Sequence, residues 1–469
     1  MYFLKRNLVI LGMSAFYLVS GLIFIEYNSI AGDEPFSIYF SGQAYSKIWT
    51  ELFSGNNPPL YEIFLKTIHL IFGESVLVFR LPSLLFSVAT LFLFFQFLKK
   101  NFSTQAAIIF GSFYCFSDYF ITFSLEARGY PMLNFLICIA VITYFRAFLE
   151  KNKKAKIFLI LINCLLLLTH YLSALFIVVQ VISLLFSSTT KNKVKTIFTY
   201  YGLTALIMSP LILNVLLKIK NQKQISAWPG PPEGINDIYN IIWRFSNKPI
   251  IAVLVIAILF VVPAIIIYRK KRISISFKHL FFFFWFPVLF IFMYCISFKV
   301  PMFVDRYLMV LALGFYGTLS ILITHIFKQV RLNWFVGFSL VLLFAITHRW
   351  VIDNKRPLDK IAAWIKDNQS KNTTQTILSD YQMLHGMAYH TNQKAFFQFS
   401  YKSADTHLLN CLSEKKIGFD FSSASTVLVV EQGKHIAPEI QSKIKPTIYK
   451  LTKEDFMPEF YRLKKYSKE

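Results

Sequence analysis

The sequence predicts an α-helical polytopic membrane protein of about eleven transmembrane helices, followed by a small C-terminal soluble α/β domain. Three observations lead there. The 469 residues are 55% hydrophobic and only 16% charged, whereas a soluble chain runs at about 25% charged. The apolar residues, 51 Phe among them, fall in blocks near the length that crosses a hydrocarbon layer of about 30 Å. Short basic runs separate those blocks, and they stop at about residue 350. A soluble enzyme is excluded.

The blocks lie near 7–27, 77–98, 104–123, 130–149, 157–187, 197–217, 250–268, 280–298, 306–326 and 333–349. Lys5 and Arg6 precede the first, which lacks a convincing small-residue cleavage site and reads as an uncleaved signal anchor. The block 157–187 is long for one span and is interrupted by Thr169-His170-Tyr171, so it reads as two short spans. Charge tests that split. With it, and the N-terminus inside, 18 basic residues and the single acid Glu150 fall on the inner side. Without it, the run Arg269-Lys270-Lys271-Arg272 lands outside.

This topology leaves three longer segments on the outer face. The loop 28–76 carries two amphipathic stretches, 37–53 and 59–72, suited to the membrane interface. The loop 218–248 contains WPGPPEG, dense in residues that fix irregular backbone. The tail 351–469 alternates helix-like stretches (358–368, 381–390) with strand-like runs (374–379, 395–399, 425–430). The chain thus reads as a membrane domain, 1–350, and an outward α/β domain, 351–469.

The net charge of +24 does not call for nucleic acid. Residues 351–469 hold 18 basic and 13 acidic residues, and the other 31 basic residues sit mostly in the inner loops. Four of the five cysteines lie in apolar blocks and only Cys411 in the tail, so no disulfide forms within that domain. No zinc spacing, phosphate loop, GxGxxG after a strand, HExxH or DxD occurs. The short basic inner loops offer no room for a nucleotide site, which places any chemistry on the outer face.

Few ionisable residues stand at that face. Asp33 and Glu34 adjoin just after the first span, in AGDEPF. Such a pair could supply a general base with an orienting neighbour, or be a solvated loop cap. NNPPLY at 56–61 enters an amphipathic helix through two prolines, and Arg80 in FRLPS opens the second span as an interfacial anchor. SLEARGY at 124–130 puts Glu126 and Arg128 in a very short outer turn, where Arg128 either clamps a phosphate or pairs with Glu126. FVDRYL at 303–308 brings Asp305 and Arg306 to the same boundary, as an interfacial anchor when taken alone. His170 reads as a satisfied interior residue more readily than as a metal ligand.

Taken in order, GDE at 32–34, NNPPLY, FRLPS, EARGY, THY and the late Arg306-Tyr307 resemble the GT-C class of polytopic glycosyltransferases. The nearest likeness is to family 39, which includes protein O-mannosyltransferases and aminoarabinose transferases. The resemblance spans roughly 1–350 and rests on the ordered set. Asn57 departs from the pattern, since many relatives carry His or a charged residue before PPL. The resemblance implies a GT-C fold and transfer of a sugar, with inversion, from a polyprenyl phosphate (undecaprenyl phosphate in bacteria) to a lipid, glycan or protein acceptor. It implies Asp33 as catalytic base, Glu34 shaping the site, and Arg128 and Arg306 on the carrier phosphate. Glu126, Asn57 and His170 fall in the substrate-binding set. No cofactor is implied, and a divalent metal stays open. The implied setting is a bacterial inner membrane, with the site and C-terminal domain facing outward. The rival reading is a transporter or flippase for a lipid-linked sugar. Transporters place ionisable groups near the midplane, often in repeated halves, whereas here they gather at the outer boundary.

Overall fold

The computed structural model describes residues 2–468 apart from 56, 187–191, 222–229, 270–275, 328 and 352–356 and, in the tail, 369–373, 379–385, 388, 391–394, 400–405, 411–415, 418–424, 433–448 and 458–460. Most of the basic run 269–272, the start of WPGPPEG and most of the 381–390 stretch lie outside the described residues. The chain divides into two compact units, one of residues 1–25 and 44–352, the other of 26–43 and 353–469.

The first unit is helical. Among the described residues, five helices are long and apolar enough to cross a membrane: Asn7–Phe24, Val76–Asn101, Tyr130–Phe148, Phe277–Ser297 and Val330–Thr347. Three bent pairs raise the number to eight if each is one span, and Ser173–Leu185 and Met309–Ile323 are apolar but shorter. The structure does not fix the number at eleven, because several hydropathy blocks are broken helices. The break at Thr169–Tyr171 is present: one helix ends at Thr169 and the next begins at Ser173.

Capping side chains set the breaks. At the 61° bend between Thr104–Phe116 and Asp118–Ser124, the Ser117 hydroxyl accepts from the Phe120 amide at 3.4 Å. That bond starts a new helix where the old one ends. Tyr316 shares a 2.6 Å hydrogen bond with Ser117 and donates to the Phe245 carbonyl at 2.6 Å. A helix from the centre of the unit therefore ties two breaks together.

That helix, Met309–Ile323, is buried at every residue but Leu322. An apolar helix without a polar face belongs inside a bundle. Its glycines let aromatic rings come close. A Cβ on Gly314 would stand 2.8 Å from the Trp285 ring, and Trp285 is fixed by an Nε1–H bond to the Val310 carbonyl at 2.9 Å. Gly314→Ala is expected to destabilise the protein by about 1–2 kcal/mol, overpacking outweighing the gain in helix propensity. Gly12→Ala is the control: its Cβ meets nothing within 4 Å. Thermal midpoints in one detergent check the pair, with Gly12→Ala at or slightly above wild type.

The outer loop yields three helices, not two stretches: Glu34–Ser41, Tyr45–Ser54 and Leu60–Phe72. The second unit is built on a seven-stranded sheet of β1 (Thr374–Leu378), β2 (Ala395–Phe399), β3 (Thr406–Asn410), β4 (Lys416–Ile417), β5 (Thr426–Gln432), β6 (Tyr449–Met457) and β7 (Tyr461–Lys468), in the order β4-β3-β2-β1-β5-β7-β6. β1 runs parallel to β2 and β5, and the other pairs are antiparallel. Leu358, Ile361, Ala362 and Ile365 line one face of the helix Leu358–Asn368 at the i, i+3, i+4, i+7 spacing and join Leu428, Val430, Tyr461 and Leu463 of the sheet in one core. Ala31 belongs to the same core. The segment 26–43, read from the sequence as part of the membrane domain, therefore groups with the tail.

Candidate active site

In the first unit the chemistry begins at the helix Leu60–Phe72, which starts after Pro58-Pro59. Pro59 takes the N-cap position, with its ring fixing the backbone before the first turn. That helix buries Tyr61, Glu62, Leu65 and Lys66 while leaving Leu70, Ile71 and Phe72 about two-thirds exposed. Its polar side faces the protein. Asn57 lies just before it, partly exposed.

The short turn after Ser124 is held from below. Ser83 of FRLPS donates to the Arg128 carbonyl at 3.2 Å and shares a 3.3 Å hydrogen bond with Tyr61. The Arg128 amide donates to the Glu126 carbonyl at 2.8 Å, closing the turn. A Cβ on Gly129 would stand 3.1 Å from Tyr61, so glycine allows this approach. Arg80 corrects the sequence expectation. It is 2% exposed and donates to the Ile25 carbonyl at 2.7 Å; it satisfies the exit of the first helix instead of anchoring in the interface.

From this turn Arg128 reaches back to Glu62, with Nη1 3.9 Å from Oε1 and both side chains nearly buried. Its guanidinium lies 5.8 Å from the centre of the Tyr130 ring. Tyr130 neighbours His170, with ring centroids 6.2 Å apart, and His170 neighbours Tyr307 at 5.8 Å. Arg306 stands 5.5 Å over the Tyr307 ring. Arg128, His170 and Arg306, which the sequence offered from three separate loops, are thus brought together. Glu126 sits two residues from Arg128 in the same turn, partly exposed.

His170 is neutral there. Burial disfavours the imidazolium, and the charges of Arg128 and then Arg306 oppose a third cation, so its pKa drops to about 4. Nδ1 accepts from the Leu172 amide at 3.2 Å, which leaves the ring proton on Nε2. The folded value lies below the ordinary 6.5, so between the two the unfolded chain binds more protons and stability falls as pH drops. The wild type is expected to lose about 1–2 kcal/mol through this group between pH 7 and pH 5. His170→Gln is expected to flatten that part of the profile, as read from thermal midpoints in detergent at several pH values.

Asp33 and Glu34 belong to the second unit. Gly32 turns the chain with φ +63°, a left-handed value that suits glycine. Asp33 is the N-cap residue of Glu34–Ser41 and makes no side-chain capping bond to it. Glu34 is 3% exposed and accepts from the Ala31 amide at 3.4 Å. Close by, His390 Nε2 lies 2.8 Å from the Ile30 carbonyl.

Among the described residues, no group of three or more His, Cys, Asp or Glu could hold a metal ion. Sequence reasoning missed Glu62. Its signal was present, an acid in the first turn of a helix opened by two prolines, yet the sequence places an acid on a solvent face.

The pattern of residues 56–215 matches the family model for dolichyl-phosphate-mannose-protein mannosyltransferases. No curated protein matches the chain by sequence. Solved structures do match by fold. ArnT from Cupriavidus metallidurans in the apo state superposes with a TM-score of 0.52 at 11% identity, covering 98% of each chain. An Archaeoglobus fulgidus oligosaccharyltransferase in complex with Zn and sulfate gives a TM-score of 0.56 at 10% identity, over 90% of this chain and 67% of that one. The archaeal oligosaccharyltransferase AglB from Archaeoglobus fulgidus, in complex with an inhibitory peptide and a dolichol-phosphate, gives 0.50 at 10% identity, over 91% and 70%. The chain is thus a polytopic membrane protein of the GT-C glycosyltransferase fold, resembling family 39 in the sequence pattern of its residues 56–215.

Proposed function

We propose that the chain is a glycosyltransferase that moves a sugar from a polyprenyl-phosphate carrier, undecaprenyl phosphate in a bacterial inner membrane, to a lipid, glycan or protein acceptor on the outer face. The observation that carries the reading is the pairing of Arg128 and Arg306 around a neutral His170 at the ends of apolar helices. Two fixed cations beside a neutral N–H donor suit a phosphate that gains charge as its bond to the sugar breaks. The AglB neighbour, bound to a dolichol-phosphate, supports a lipid phosphate as the carrier.

In this reading an acceptor O–H or N–H attacks the anomeric carbon from the face opposite the carrier. The new bond forms as the carbon–oxygen bond to the phosphate breaks, which inverts the anomeric centre. The acceptor proton passes to Asp33, and the lipid phosphate departs as an anion held by Arg128 and Arg306. A leaving phosphate is already stabilised, so cations can replace a general acid. Glu34 shapes the surroundings of Asp33, while Glu126, Asn57 and His170 line the substrate.

The test is transfer in membranes containing the protein, offered a panel of labelled undecaprenyl-phosphate sugars. Transfer above membranes that lack the protein supports the reading. Absence of transfer with every donor, while a lipid-linked sugar still crosses the membrane, replaces it with a flippase.

A further inference from the structure

A cavity of about 540 Å³ opens in the first unit; its wall residue Phe123 adjoins Tyr130 of the ring stack around His170, with centroids 5.2 Å apart, and the proposed reaction leaves the cavity unused. Its wall includes Arg244, Lys248 and Arg349 against Asp118 and Asp305. Asp118 is ion-paired, whereas Asp305 accepts from a backbone amide and keeps its charge, so the three cations exceed the two carboxylates by one. Asp118 Oδ2 lies 2.9 Å from Arg349 Nε, and Oδ1 accepts from the Arg349 amide at 2.7 Å and lies 3.1 Å from His348 Nδ1. Asp305 Oδ1 accepts from the Arg306 amide at 2.8 Å. Arg349 is therefore matched, whereas Arg244 and Lys248 have no ion-pair partner among the described residues.

The two cations stand at an elbow. Helix Asn236–Phe245 meets the apolar helix Pro249–Ala264 at 101°, so the chain turns sharply just before its apolar run. Asn247 makes the corner with φ +59°. Its amide donates to the Phe116 carbonyl at 2.8 Å, and its carbonyl oxygen accepts from the Asp118 amide at 2.9 Å. These bonds tie the corner to its neighbours. Just beyond it the descending helix exposes Ile250 (68%), Val253 (52%) and Leu254 (42%), an apolar strip that in a membrane faces acyl chains. An excess of positive charge at the start of an apolar helix, continuous with an exposed apolar strip, fits an amphiphile with an anionic head.

We infer that this elbow binds the phosphate headgroup of a membrane lipid through Arg244 and Lys248, with the lipid tail lying along Ile250, Val253 and Leu254. It is a second lipid-phosphate site, beside the Arg128–Arg306 cluster and separated from it by the turn at 304–308. Asp305 of that turn lines the cavity, while Arg306 and Tyr307 belong to the stack around His170. A phosphate lipid at the elbow would therefore present its head next to the proposed carrier phosphate. In the transfer reading this is the place of an acceptor that is itself an anionic lipid.

The experiment measures lipid binding without turnover. Full-length protein in phosphatidylcholine nanodiscs is titrated with undecaprenyl phosphate and, separately, with phosphatidic acid. Wild type is compared with the Arg244→Gln/Lys248→Gln double variant and with the conservative Arg244→Lys/Lys248→Arg pair. Losing two charge-assisted phosphate contacts is expected to weaken phosphatidic acid binding by about tenfold or more, and the conservative pair to keep most of it. Loss for phosphatidic acid alone supports a second, non-carrier lipid; loss for undecaprenyl phosphate alone overturns that assignment in favour of the carrier. Unchanged affinity for both lipids, at unchanged thermal midpoint, overturns the site altogether. No sugar transfer is read, so this inference and the proposed reaction fail separately.

Discussion

Asp33→Asn is expected to lower sugar transfer by about 10²–10⁴-fold, the range over which a positioned base contributes, at unchanged protein level. The substitution keeps the size, exchanges one acceptor oxygen for an N–H donor, and removes the negative charge and the site that takes the acceptor proton. Asp33 makes no side-chain cap to the helix it precedes, so that helix does not lose its start when the carboxylate goes. Glu34 is the contrast. Buried and accepting from the Ala31 amide, it is expected to respond to Gln more in stability than in rate. Transfer by Asp33→Asn at the wild-type rate would remove Asp33 from the mechanism and leave the fold untouched.

Arg128→Ala carries the second large effect, in two currencies at once. Removing a cation from the leaving phosphate should lower transfer by about 10²–10³-fold. It also takes from buried Glu62 the guanidinium 3.9 Å away, and breaking a buried pair on one side costs about 3–5 kcal/mol. The single variant therefore confounds instability with lost chemistry. The double variant Arg128→Gln/Glu62→Gln separates them, because neither side is left as an unmatched charge. Its thermal midpoint should return most of the way to wild type while transfer stays down. Recovery of transfer together with stability would make Arg128 a structural residue, leaving the phosphate to Arg306.

The sequence made the helix blocks and the break at His170 legible because hydropathy and helix-breaking residues are local signals. It also brought out Arg128, His170 and Arg306, each a polar residue stranded at the end of an apolar run. Glu62 and Lys66 were not legible, since in the helix Leu60–Phe72 they face the protein while Leu70, Ile71 and Phe72 face out. A soluble helix of that pattern would be turned the other way, and only its neighbours reveal the inversion. The bend at 117 escaped for a related reason: averaging over the block 104–123 conceals a capping serine. The corner at 246–248 falls where the sequence already ends a loop and begins an apolar block. In the tail, β1, β2 and β5 stood out by their apolar or β-branched runs. β6 and β7, rich in lysine, did not, because they pair through alternation that charge obscures.

The grouping of residues 26–43 with 353–469 has a consequence for biosynthesis. The segment that carries Asp33 leaves the ribosome about 310 residues before the first strand-and-helix partners it packs with, a lag of about 15–60 s at ordinary elongation rates. Throughout that interval Ile30, Ala31, Ile38 and Phe40, all buried in the finished protein, lack the tail that completes their unit. The same arithmetic says where the chain can be cut. A fragment beginning at 353 would lack Ala31 from its core, whereas supplying 26–43 in trans, or fused by a short linker, would restore the missing piece.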